Sequence, residues 1–85
     1  MTTDSKFRRR MNVEEPSPPE KPDWIIGPLH EEWDLGEQAV RKSRLFGYFP
    51  PSLDGYSYDT PGQKARVAAL RAWIAYYREL DDAQT

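Results

Sequence analysis

Hydrophobic positions recur with a helical period in two stretches of this chain. In the C-terminal third, Val67, Leu70, Trp73, Ile74, Tyr77 and Leu80 fall on one side of a helix. At about 100° per residue they cover an arc of roughly 140°. Ala65, Ala68, Ala72 and Ala75 gather on a second arc, at spacings of 3, 4 and 3. Lys64, Arg71 and Arg78 recur every seven residues between the two. Arg66 intrudes on the large apolar face near the helix start, where its stem can still cover apolar surface. Thr60 stands as a cap, Pro61 takes the first helical position and Gln63 completes a capping box. The pattern predicts a helix over about 61–82.

The second stretch puts Leu29, Trp33, Gly36 and Val40 on a common face and predicts helix over about 28–46. Gly27-Pro28 is a suitable opening, since Pro is favoured in a first turn. Asp34 with Glu37 reads as a second, capping-box-like start. Gly36 costs an interior up to ~1 kcal/mol relative to Ala, so a break near Asp34 is expected, giving one kinked helix or two. Arg41, Lys42 and Arg44 lie in the last turns, where cations suit the helix dipole, and Gly47 supplies the stop.

Between these stretches, residues 48–59 form a connector crowded with aromatics. Pro50-Pro51 bars a helix, and Asp54-Gly55 is a turn signal. Tyr56 and Tyr58 alternate, which allows a tiny hairpin, but an aromatic loop lying over two helices is the preferred reading. Residues 1–22 lack periodicity and carry "KFRRRM" followed by "EEPSPPEKP". So few apolar groups cannot offset chain entropy, and this part reads as a disordered basic and Pro-rich arm, extended where the prolines cluster. The expected fold is all-α: a two- to three-helix unit over 23–85, a helical hairpin with its main helices antiparallel and an aromatic connector.

Composition narrows the function. With 85 residues, 38% hydrophobic, 31% charged and 13% aromatic, there is room for one small core supplied largely by aromatics. No cysteine and a single histidine leave no thiol nucleophile, disulfide or Cys/His metal cluster. The net charge of −2 points to no class of partner. By segment, residues 1–22 hold five basic and four acidic side chains, 23–59 three and seven, and 60–85 four and three. The longest apolar run, Trp73 to Tyr77, is five residues, against the roughly 20 that span a bilayer. No apolar run follows the basic N-terminal patch, so a soluble, cytoplasmic protein is expected, with a virion as the other setting.

Several candidate sites emerge. Ala65, Ala68, Ala72 and Ala75 form a small-residue seam against which another helix can pack closely; Ala is also simply the best helix former. Trp24, Tyr48 and Tyr76 are aromatics left over for a partner. Arg8, Arg9 and Arg10 can track phosphates, with Lys64, Arg71 and Arg78 extending the basic surface. The competing readings are a solubilising tail and a solvated helix face. Pro16 and Pro19 make a P-x-x-P with Lys21 beyond it, a pattern common by chance in proline-rich linkers. "HEEWD" (His30 to Asp34) resembles a zinc-protease H-E-x-x-H with Asp34 in place of the second His. The defining ligand is missing, so no metal is expected. Neither a nucleophile elbow nor a phosphate-cradling glycine loop is present, and no cofactor or small-molecule ligand is expected.

The expectation is a non-enzymatic accessory or structural subunit docking onto a larger protein assembly, or onto an identical subunit, through its C-terminal helix and N-terminal arm. Small phage or virion components and small subunits of enzyme complexes share this general build. The alternative is a nucleic-acid-associated regulator using Arg8–Arg10 and the basic helix stripe.

Overall fold

The structure, a computed structural model, describes residues 16–83. Among the described residues there are two helices and no strand: α1 spans Leu29–Phe46 and α2 spans Pro61–Ala83. The start of α1 uses no side-chain cap at Pro28. Instead the N–H groups of Leu29, His30 and Glu31 donate to the carbonyls of Ile26, Gly27 and Pro28 at 3.0, 3.1 and 3.2 Å. Glu31 and Glu32 then place negative charge in the first turn, where the dipole favours it. At the far end Gly47 turns left-handed with φ +85°, and the Tyr48 N–H closes onto the Ser43 carbonyl at 2.9 Å. At the start of α2, Thr60 acts as the cap that its position predicts. Its Oγ1 accepts from the Gln63 N–H at 3.2 Å, and its carbonyl from the Lys64 N–H at 3.0 Å.

The expected break at Asp34 is absent, and α1 runs unbroken through it. Asp34 is not a cap; its carboxylate pairs with Lys21 at 3.2 Å. Gly36 is not a weak point but a place where the two helices approach closely. A Cβ there would lie 2.6 Å from the Ala69 Cβ and 2.8 Å from the Arg66 carbonyl oxygen. The propensity cost of glycine is accepted in exchange for close backbone approach.

The second correction concerns direction. Glu32 meets Arg66, Gly36 meets Ala69, Arg41 lies over Trp73, and Arg44 meets Tyr77 and Asp81. Positions advance together along both helices, so α1 and α2 pack parallel, not antiparallel. Short loops make antiparallel neighbours. Here residues 47–60 are long enough to carry the chain back along the length of α1, since extended chain covers about 3.3 Å per residue.

Ile25, Trp33, Val40, Ala65, Ala69, Leu70, Trp73 and Ile74 make the core cluster, and Val67 is buried as well. Each large member contributes about 1.5–3 kcal/mol by leaving water. The connector returns over this core with Phe49, Leu53 and Tyr56 half-buried against it, and the Phe49–Pro50 peptide bond is cis. It is an aromatic loop, not a hairpin. Residues 16–22 carry no helix or strand, and Lys21 ties them to α1 through Asp34 and through the Nδ1 of His30, to which it donates at 3.2 Å. The ordered unit therefore takes in part of the stretch expected as arm. The rest of that reading, including Arg8, Arg9 and Arg10, lies outside the described residues.

Candidate functional site

The outer face of α2 is where several of the sequence candidates come together. Lys64, Ala68, Arg71, Ala75 and Arg78 fall within an arc of roughly 80° at helical spacing, turned away from the buried Trp73. Two grooves open along this face. The first, about 470 Å³, is lined by Trp24, Tyr58, Lys64, Val67, Ala68 and Arg71. The second, about 300 Å³, is lined by Pro50, Pro51, Leu53, Arg71, Ile74, Ala75 and Arg78. Arg71 belongs to both, so the grooves meet at its side chain. Edges come from the connector and from Trp24; floors come from α2.

Each groove is built by the returning chain. The Pro50-Pro51 stretch runs beside the Arg71–Arg78 portion of α2, and Leu53 packs inward and holds it there. Farther back, the Arg71 guanidinium donates to the Tyr58 hydroxyl and lies 5.5 Å from the centre of its ring. The ring is thereby held as a wall facing Trp24. Trp24 and Tyr58 are both about half exposed, at 45% and 50%.

The alanines divide among several environments. Ala65 is wholly buried in the core and offers nothing to an outside partner. Ala68 and Ala72 are half-buried against the core, and Ala75 is exposed. A continuous outward seam of four therefore does not form. The buried face of α2 is wider than the large apolar arc and takes Ala65 and Ala69 into the helix contact alongside Leu70 and Trp73. Of the aromatics, Tyr48 stands exposed just beyond α1, as Trp24 does before it. Tyr76 is engaged inside the chain, edge-on to Trp73 at 5.4 Å and to Tyr77 at 5.0 Å.

Charge divides the described cations in two. Lys21, Arg41, Arg44 and Arg66 pair with Asp34, Glu37, Asp81 and Glu32 at 2.8–3.2 Å. Hydrogen bonding to Asp81 holds the Arg44 guanidinium above its usual pKa, outweighing the opposing effect of burial. Lys42, Lys64, Arg71 and Arg78 have no carboxylate partner among the described residues. Three of these four line the grooves. Sequence reasoning found those three from their heptad spacing but had no signal for Tyr58 or the proline edge, which depend on the path of the connector.

Compared with protein-family models, curated proteins and solved structures, the chain matches none.

The remaining sequence candidates are accounted for by contacts within the chain. His30 and Asp34 do share a face of α1, but the ammonium of Lys21 sits between them. Among the described residues no three His, Cys, Asp or Glu side chains cluster as metal ligands. Lys21, the basic residue beyond the P-x-x-P, is occupied by the same pairing. No described helix is long and apolar enough to cross a membrane.

Proposed function

We propose that this chain is a non-enzymatic subunit that docks onto a larger protein assembly, with α2 as a principal contact. One observation carries the reading. A fold with a core this small leaves Trp24, Ile26, Leu45, Phe46, Tyr48 and Tyr58 between 45% and 79% exposed. Single exposed apolar residues are ordinary on any surface. Here Leu45, Phe46 and Tyr48 are near-consecutive at one end of α1, and Trp24 and Tyr58 wall a groove on α2. Such grouping of large apolar side chains is the usual mark of a contact surface. A partner would also add burial to a unit near the lower size limit for independent stability. The N-terminal arm would lie along a neighbouring subunit and add to the same contact.

The experiment is affinity capture of the tagged full chain from native host extract, with and without nuclease. A stoichiometric protein that survives nuclease supports docking. Recovery that disappears with nuclease moves the function to nucleic acid. That second reading has its own support, since Lys64, Arg71 and Arg78 share one face and have no carboxylate partner among the described residues.

A further inference from the structure

We infer that the grooved face of α2 receives an acidic amphipathic helix of a partner protein. The inference rests on the docking reading and names both the surface and the chemistry that fits it.

Charge supplies the first half of the case. Four described cations are neutralised by carboxylates of this chain, while Lys64, Arg71 and Arg78 have none among the described residues. They recur every seven residues, about 10.5 Å apart along the axis at 1.5 Å per residue. A helix lying beside α2 repeats its own facing positions every seven residues. Glu or Asp at one such position would meet Lys64, Arg71 and Arg78 in turn.

Shape supplies the second half. Between the cations the surface is apolar and low: Val67 and Ala68 in one groove, Ile74, Ala75 and Leu53 in the other. Ala68 and Ala75 are small enough to let a second backbone come close, and Trp24 and Tyr58 offer walls for Leu or Met side chains. The occupant is thus acidic at heptad positions and apolar between them. Nucleic acid fits less well. Duplex DNA presents a charge about every 1.7 Å and is held by many phosphate contacts; three cations spaced along an apolar floor do not match that density.

The test uses the isotope-labelled full chain and a designed helical peptide of about three heptads, with Glu at each seventh position and Leu and Ala between. Two further probes are the same peptide with Lys for Glu and a single-stranded oligonucleotide. The acidic peptide should move the amide resonances of Ala68, Arg71 and Ala75, and the basic one should not. Lys64→Ser with Arg78→Ser should weaken the interaction at least about tenfold, as loss of matched charge at an interface does. Lys42→Ser removes the cation of α1 that has no carboxylate partner among the described residues, and should change nothing. The proposal is overturned if the acidic peptide moves none of these residues at about 1 mM, a weak affinity by any standard. It is equally overturned if the basic peptide binds as well, if Lys42→Ser matters as much, or if the oligonucleotide takes the face more tightly. Nuclease-resistant capture from extract that persists in the Lys64/Arg78 variant would leave docking standing and place it on another surface. Absence of nuclease-resistant capture by the unaltered chain would remove both.

Discussion

The helices of this fold meet where Gly36 faces Ala69, with room for no carbon between them: a Cβ on Gly36 would stand 2.6 Å from that of Ala69. By helix propensity alone, Gly36→Ala should stabilise α1 by up to about 1 kcal/mol. The contact reverses the sign, because the second clash is with the Arg66 carbonyl, which cannot swing away. Gly36→Ala should lower stability by roughly 1–3 kcal/mol, the usual cost of overpacking. Ala69→Gly in that background should restore only part of it. Denaturant midpoints of the three variants check this, and a stabilised Gly36→Ala would show that the helices are not so close.

Parallel packing has a direct consequence for distances. The chain contains no cysteine, so labels can be placed at will. Spin labels on Leu45→Cys and Glu79→Cys should lie near one another, because Arg44 reaches Asp81 one residue away in α1 and two in α2. A label on Glu31→Cys should lie farther from Glu79→Cys, by up to about 21 Å of helix length. Antiparallel helices would reverse the order.

Trp73 contributes mainly its bulk. It is 6% exposed, touches Tyr76 and Tyr77, and its buried indole N–H has no hydrogen-bond partner among the described residues. Trp73→Ala should cost about 3–5 kcal/mol, on the scale of the total stability of a domain this small. Trp73→Phe loses volume but also relieves an unsatisfied donor, and the two effects oppose each other. A change within about 1 kcal/mol is expected from calorimetry or denaturant unfolding.

Arg44 does more than its ion pair. Its guanidinium holds Asp81 at 2.8 and 3.2 Å and lies 4.4 Å from the Tyr77 ring centre and 5.4 Å from that of Phe49. The pair is partly solvated, with exposures of 32% and 48%, so Asp81→Asn should cost no more than ~1 kcal/mol. Arg44→Ala should cost more, since the stem and the cation–π contacts go too. Equal costs in a double-mutant cycle would assign everything to the ion pair.

Much of this was legible in the residues. Thr60, Pro61 and Gln63 mark the start of α2, Gly47 marks the end of α1, and the shared face of Trp33, Gly36 and Val40 is buried. These features are local: a cap or a helical period is settled within a few neighbours. The direction of the helices was not legible, because an apolar stripe says which side is buried and not which way its partner runs. Asp34 and Glu37 misled for a similar reason. They have capping chemistry, but Lys21 and Arg41 take them as partners on a continuous helix. Within the site, the heptad of Lys64, Arg71 and Arg78 could be read directly. Which alanines stay outside depended on the packing of α1, and Tyr58 depended on the return path of the connector.

Docking through α2 is the central claim, and site-specific photocross-linking tests it most directly. A photoreactive side chain would replace Ala75 in the full chain, with a second variant carrying it at Gln38 on the exposed side of α1, and both would be irradiated in native extract. Docking through α2 predicts one dominant protein adduct at Ala75, unaffected by nuclease, and little at Gln38. Equal labelling at the two positions, or adducts only to nucleic acid at Ala75, would contradict it.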